Sequence, residues 1–342
     1  MPLIFSKHAV FASGILILIG MVPATLLAEE VTEVRAASLS FAGDPTDIFW
    51  HRFQKTLGER SDTTLRLTLL TRGELGAEEN ILPALRRGRV QVASFTSSGM
   101  EGAVPEFGLF LAPYLFESFE EVDFVVDNFL TPMITELCVE VGIEMLGWYD
   151  EGWRNIYSQA PVLEPGDLRN YRMRALQSLA SQMFLQVLDA DVIPLAFSEV
   201  LTGLQTGLVN GGEAGNYFYV ASSLAEEAPH FTRTQHAYSL GVIAANKRWF
   251  DGLDGRDQRA LKASVPPVTF VRQLMRATAE RTLAALSTRP VQVHHLGAAE
   301  RSRWRLQTQV THGMLIERIG GRAQELYDLI QAGRRAFAER ER

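Results

Sequence analysis

The chain reads as an α/β protein of two domains, and three observations carry that reading. Short strand patterns alternate with amphipathic helix patterns from residue 33 onward, the order that builds a mostly parallel, doubly wound sheet. The length of 342 residues exceeds one small module and suits two domains of roughly 100 to 200 residues each. The pattern changes character over Asp150 to Trp153, where Gly152 offers a hinge.

Residues 37–41 form the first expected strand, closed by Gly43-Asp44-Pro45. Phe49, Phe53 and Leu57 then recur at spacing four, the period of a helix face. Residues 64–70 alternate Leu65, Leu67 and Leu69 with polar partners, as a half-buried strand does. Gly73 and Gly76 end it, Ile81, Leu82 and Leu85 share the inner face of a helix stopped by Gly88, and residues 90–95 make a third strand. Residues 107–116 are apolar but interrupted by Pro113, which predicts a buried connection. Helical periodicity returns over 120–141, and 143–149 reads as a strand. A second series follows: strand 172–176, helix 179–188, strand 192–195, and helix 199–206 capped by Ser198 and ended by Gly207. Residues 240–245 and 291–296 are further strands, and a helical tail from Ala298 onward is interrupted at Gly320-Gly321.

Composition sets the class. Apolar residues make up 46% and charged residues 21%, so the composition of a disordered chain is absent. With 33 Lys and Arg against 40 Asp and Glu, the net charge is −7 and no basic block stands out, which argues against a nucleic-acid partner. Lys7 and His8 precede an apolar run from Ala9 to Leu27 that ends at Ala28 before Glu29 and Glu30. This reads as a secretory signal over residues 1–28, with a membrane anchor as the competing reading; Pro23 and the alanine junction favour cleavage. The expected location is the periplasm. No cysteine sits at the junction, and Cys138, alone in the chain, can form no internal disulfide and reads as a buried small hydrophobe.

The search for catalysis comes back empty. The nucleophile elbow, the H-E-x-x-H zinc site, the phosphate-binding P-loop and the dinucleotide fingerprint are all missing from the sequence. His294 and His295 are adjacent, so on a strand they point to opposite faces. His230 and His236 lie six apart without a carboxylate and cysteine constellation, so neither pair reads as a metal site. Arg154 and Arg174 are different: each sits at a strand end or hinge, where a planar guanidinium can meet a carboxylate with two parallel hydrogen bonds. A surface ion pair is the bland alternative for both.

Motifs in fixed order then resemble a known family. They are Leu75-Gly76, the Leu85-Arg86-Arg87-Gly88-Arg89-Val90 turn, Pro113-Tyr114-Leu115-Phe116, Gly152-Trp153-Arg154-Asn155 and Asp167-Leu168 with Arg172-Met173-Arg174. Ala196-Phe197-Ser198-Glu199-Val200 and Leu204-Gln205-Thr206-Gly207 complete the series. Together they resemble the DctP-type solute-binding subunits of TRAP transporters. The resemblance implies two α/β lobes with a hinge and a long C-terminal helical tail, a periplasmic-binding-protein type fold that closes on a small organic acid and presents it to TRAP membrane subunits. The expected lobes are residues 29–151 with 241–280 and residues 152–240 with 281–319, and residues 320–342 form a helix packed on them. It implies further that Arg174 makes the principal carboxylate contact, that Arg154 assists and that Phe197 lines the pocket. No enzyme activity, cofactor or metal is implied, and the chain is expected to act as a monomer.

The chain departs from the family pattern over Asn210-Gly211-Gly212-Glu213-Ala214-Gly215-Asn216. Ala214 stands where the resemblance implies an asparagine and Gly215 where it implies a proline, and Asn216 is the candidate substitute for the missing ligand contact. Glu213 is retained. Trp153 can stack on a ligand or pack in the hinge, and Tyr217 and Tyr219 follow the altered loop. Ser94, Thr96 and Ser97 end the third strand, the edge where open α/β sheets hold ligands, which makes Thr96 a candidate contact. The rival functions are a receptor for an ABC importer or a sensor kinase, and an exported enzyme using Glu or His in a similar cleft.

Overall fold

The computed structural model describes residues 31–60 and 62–342; the expected secretory segment, residues 1–28, lies outside them. Among the described residues nine strands form one sheet: β1 (Thr32–Ala37), β2 (Leu65–Leu70), β3 (Val92–Thr96), β4 (Ile143–Ser158), β5 (Arg172–Ala175), β6 (Asp191–Pro194), β7 (Gly211–Gly215), β8 (His230–Asn246) and β9 (Gln292–His295). Their order is β2-β1-β3-β8-β4-β7-β5-β6, with β9 beside β8. β2, β1 and β3 are parallel to one another, as are β7, β5 and β6. Between the two parallel groups run β8 and β4, antiparallel to each other and long enough to serve both. The molecule is thus two parallel α/β halves joined by a shared two-stranded ribbon.

Each half buries both faces of its part of the sheet. In the first, Phe49, Trp50, Phe53 and Leu57 of the helix Pro45–Gly58 pack on Val34, Leu65 and Val92. The opposite face holds Phe95, Phe107 and Phe110 with Cys138, whose burial first, then the charge of Glu144, pushes its thiol up to about 12. In the second half, Tyr157, Val200, Tyr219 and Phe231 form one core and Ile156, Met173, Phe184 and Trp304 the other.

Several elements differ from the sequence reading, each for a local reason. The first strand ends at Ala37 instead of beginning there, because Asp44 caps the next helix by accepting from the Asp47 N–H, and residues 38–43 are the approach to that cap. Helix 120–141 is two α segments joined by a π turn, Val126–Leu130. Ser198 does not cap the helix Val200–Gln205: a 3₁₀ turn, Phe197–Glu199, precedes it, and Glu199 bonds back to the Ala196 N–H at 3.2 Å. The glycine-rich stretch after Asn210 is the strand β7, not a loop. It runs between β4 and β5, and a Cβ on Gly212 would fall 2.3 Å from the Tyr157 hydroxyl and 3.1 Å from Arg174 Cβ. Only glycine fits there, which accounts for the composition of the stretch.

Asp150 to Trp153 breaks no strand, because β4 passes straight through it. The change of character is instead a β-bulge between Asp150 and Gly152, with Gly152 at φ +84, a value that suits glycine. Two tethers brace this passage between the halves. Arg276, on the long helix Val268–Ala285, pairs with Asp123 at 2.6 and 2.8 Å and reaches Asp150 Oδ2 and the Tyr238 hydroxyl, each at 2.9 Å. Glu101 accepts from Ser178 Oγ at 2.5 Å and the Leu179 N–H at 3.1 Å, so it caps the helix Leu179–Gln186 from the other half; burial lifts its carboxyl to about 7 against those two bonds.

Candidate functional site

A cleft lies between the halves at the C-terminal ends of their parallel strands, where open α/β sheets hold ligands. It encloses about 1030 Å³ including its open mouth. The first half supplies the ends of β1 and β3, the start of the helix Glu78–Arg86, and Tyr149 and Glu151 of β4. The second supplies Arg154, Tyr157, Arg174, Phe197, Glu213 and Phe218.

Bulges set which β4 side chains reach the cleft. A regular strand alternates faces with period two, but register shifts at Asp150/Gly152 and Arg154/Ile156 each insert a residue. As a result Glu151, Arg154 and Tyr157, spaced by three, all line the cleft. The same phasing sends Trp153 to the other side, where its ring lies 4.8 Å from Tyr238 and 6.0 Å from Phe119. Asn155 also points away. Its Nδ2 donates to Asn216 Oδ1 at 2.9 Å, and its Oδ1 accepts from the Gln235 N–H at 3.0 Å. Asn216 and Trp153 are therefore placed behind the sheet, outside the cleft in which the sequence reading put them.

Arg174 sits at the centre, on β5, and is 6% exposed. Burial first, and the nearby Arg154 charge, pull its pKa below the ordinary arginine value. Its Nε donates to the Leu195 carbonyl at 3.0 Å, which fixes the plane of the fork and leaves both terminal nitrogens without a protein acceptor among the described residues. Arg154 donates through one terminal nitrogen to the Glu213 carbonyl at 3.2 Å. Its Nε is buried, 3.9 Å from its ionic partner Glu213 Oε2, with no hydrogen-bond acceptor among the described residues. The Tyr157 hydroxyl beside them is likewise buried and has no hydrogen-bond partner among the described residues. Buried polar groups are normally satisfied, so this concentration of idle donors marks a place for an anion.

Glu213 does not compete for that place. Its two oxygens accept from Ser181 Oγ and from His236 Nε2, the latter at 2.8 Å, and His236 Nδ1 meets Thr234 Oγ1 at 2.7 Å. Burial works to raise this carboxyl, but His236, Arg154 and Ser181 outweigh it and hold it near 2. Phe184 stacks on His236 at 4.2 Å and 3°. The network is a fixed anionic brace beneath Arg154. His236, weighed in the sequence for a metal, belongs to it. His230 and His294 are 3.1 Å apart at Nδ1 and Nε2 with ring centres 5.4 Å apart, so the nitrogens face each other as a hydrogen-bonded pair. Among the described residues no group of three or more His, Cys, Asp or Glu is arranged to hold a metal.

The rest of the lining completes the enclosure. Thr96 caps the helix Ser97–Met100 and donates to Glu78 Oε2 at 2.7 Å, so it reaches the cleft already engaged. Phe197 meets Phe218 edge-on at 5.5 Å, and Phe218 meets Phe41 of the other half at 6.4 Å. Phe218 takes the position considered for its neighbours: Tyr219 is buried against Tyr157 and Phe231, and Tyr217 is not among the lining residues. Glu78 and Glu151 were missed by sequence reasoning. An acidic residue in a helix's first turn and one beside a glycine carry no distinctive pattern.

Comparison with known proteins shows the family of the chain. Residues 39–317 match DctP, family 7 of the bacterial extracellular solute-binding proteins. The chain belongs to that family. Among its DctP relatives, the ectoine-binding periplasmic protein TeaA of Halomonas elongata is 26% identical over 313 residues, spanning 88% of this chain and 90% of that protein. The 2,3-diketo-L-gulonate-binding periplasmic protein YiaO of Escherichia coli is 27% identical over 277 residues, 79% and 84% of the two chains. Among solved structures, the ectoine-binding protein of the Halomonas elongata TeaABC TRAP transporter superposes with a TM-score of 0.83 at 24% identity, over 89% of this chain and all of that one. The sugar acid binding protein of Advenella mimigardefordensis, in complex with galactonate, gives 0.81 at 24% identity, over 88% and 98%. The fold is the two-lobed one of TRAP solute-binding proteins, and membership in DctP makes the chain a solute-binding protein.

Proposed function

We propose that this chain is a periplasmic receptor that binds a small organic carboxylate in the cleft between its halves and delivers it to the membrane subunits of a TRAP transporter. The observation that carries the reading is the Arg174 guanidinium, buried, fixed in plane by Leu195 and with both terminal nitrogens idle. That fork matches a carboxylate's two oxygens, and Arg154 adds a second positive charge beside it. Relatives are named for binding ectoine, 2,3-diketo-L-gulonate and C4-dicarboxylates, and all of these solutes carry a carboxylate. In this reading residues 1–28 direct export and are removed. The lobes are residues 29–151 with 241–280 and residues 152–240 with 281–319, residues 320–342 pack on them as a helix, and the receptor acts as a monomer. Arg174, Arg154 and Phe197 are the binding residues, Thr96 lines the first-half wall, and Glu213 acts by holding Arg154. Among the described residues no helix is long and apolar enough to cross a membrane.

A thermal-unfolding screen of organic acids tests the reading. An acid present at 100 times its Kd stabilises the folded protein by about 2.7 kcal/mol, a clear rise in midpoint. Uncharged amides of the same acids are expected to give no shift, and a midpoint unmoved by any carboxylic acid would refute the proposal.

A further inference from the structure

The charges lining the cleft are sorted by side. The basic residues there are Arg154 and Arg174, both from the second half. The part of the lining that the first half supplies carries Glu78, Glu79 and Glu151 and no cation, with Glu151 three residues before Arg154 on β4. Glu213, the carboxylate on the arginine side, is engaged by Ser181 and His236. A ligand that spans this cleft therefore meets hydrogen-bond donors at one end and acceptors at the other.

The acidic wall is poised to accept. Glu78 is positioned by Thr96, whose N–H and hydroxyl bond one oxygen each at 2.8 and 2.7 Å. Glu151 is held through one oxygen only, by Ser239 Oγ at 2.6 Å, and its Oε1 has no protein donor among the described residues. Dehydration in the cleft, and then the charge of Glu151, lift the Glu78 carboxyl to about 8. Glu151 is also raised, by burial first, against its bond from Ser239 and the charge of Arg154. Glu78 is therefore largely protonated at neutral pH; a group that donates to the pair, above all an ammonium, favours its ionised form, and a third carboxylate beside Glu151 disfavours it.

We infer that the solute is a monocarboxylate whose far end donates hydrogen bonds through hydroxyl or ammonium groups, and that Glu78 and Glu151 read that end and reject dicarboxylates. The inference rests on the carboxylate reading of Arg174 and narrows it. The sorted walls also couple recognition to closure: a ligand with complementary ends bridges the halves, whereas a dicarboxylate meets repulsion as the walls approach.

The test uses sets of acids that share a carbon skeleton and differ only at the far end, titrated calorimetrically into the intact protein. One set is 4-aminobutyrate, 4-hydroxybutyrate, butyrate and succinate, a second is the corresponding six-carbon series ending in adipate, and a third is gluconate against glucarate. In every set that binds, the ammonium or hydroxyl member should be at least about tenfold tighter than the diacid and, in the first two sets, than the plain acid. Which of the two donors wins separates an amino acid ligand from a hydroxy acid one. Glu78→Gln and Glu151→Gln together should shrink the preference over the diacid several-fold. A diacid or plain acid that binds as tightly as the donor-bearing member overturns the inference and leaves the carboxylate reading standing. An unchanged preference in the double variant overturns the assignment to these two glutamates, and a protein that binds no member of any set refutes both.

Discussion

Replacing Arg174 with alanine is expected to weaken carboxylate binding by tens to thousands of fold while the protein stays folded. The effect is large because the group is buried within the cleft. Its Nε already serves the Leu195 carbonyl, so both terminal nitrogens are free for ligand, and the residue is 6% exposed. Removing one partner of a buried, hydrogen-bonded charge pair costs about 2 to 5 kcal/mol, much of it from stranding the other charge. At about 1.4 kcal/mol per tenfold, that is the range stated. Arg174→Lys should recover part of the loss, since an ammonium keeps the charge but not the planar fork. Arg154→Ala should cost less, because Arg154 is shared with Glu213. Arg169 makes a control: exposed, with Asp189 at 3.7 Å as its ionic partner, its replacement should leave affinity unchanged. Calorimetry on the four variants checks the order.

The largest loss of stability is expected from Arg276→Ala, at about 3 kcal/mol, because it leaves the buried Asp150 without its cation. Asp150 is 1% exposed in β4, and its Oδ1 has no hydrogen-bond partner among the described residues. Oδ2 accepts from Arg276 and from the Tyr238 hydroxyl at 2.6 Å. Burial already raises this carboxyl against the pull of Arg276, and without Arg276 it rises further. A folded-state pKa above the unfolded value means that the folded chain keeps a proton the unfolded chain has released, so stability falls as pH rises through the folded value. The deficit of the variant should accordingly narrow as pH is lowered from neutrality toward the ordinary carboxylate range. Denaturant unfolding across pH reads both the size and the sign, and a deficit that does not change with pH would place the loss in packing. Arg276→Met with Asp150→Asn should lose less than Arg276→Ala, since no charge is then stranded.

The sequence showed the alternation of strands and helices because parallel α/β units write their periods locally. Leu65, Leu67 and Leu69 announce β2, and Ile81, Leu82 and Leu85 announce the helix after it. It also pointed to Arg154, Arg174 and Phe197, all of which line the cleft. The ribbon was harder to see. β4 and β8 are 16 and 17 residues long, and their bulges break the alternation by which strands are recognised. For that reason Asp150 to Trp153 looked like an interruption, and Trp153 looked like a neighbour of the ligand when the phase of the strand turns it away. Gly211 and Gly212 read as a loop because the requirement for glycine comes from Tyr157 and Arg174 across the sheet. Asn216 could not be placed by spacing, since its partner Asn155 lies 61 residues earlier. Glu78 and Glu151 become part of a site only when the halves meet, and the Ser181–Glu213–His236 network joins residues that lie far apart along the second half.

The central claim is that Arg174 receives the solute's carboxylate. A crystal structure of the mature protein with the acid that stabilises it most tests this directly. Both carboxylate oxygens should lie about 2.7 to 3.2 Å from the terminal nitrogens of Arg174, with Arg154 beside them and the far end of the solute toward Glu78 and Glu151. An acid bound in the cleft with its carboxylate elsewhere, and Arg174 still bonded to the Leu195 carbonyl alone, would contradict the account.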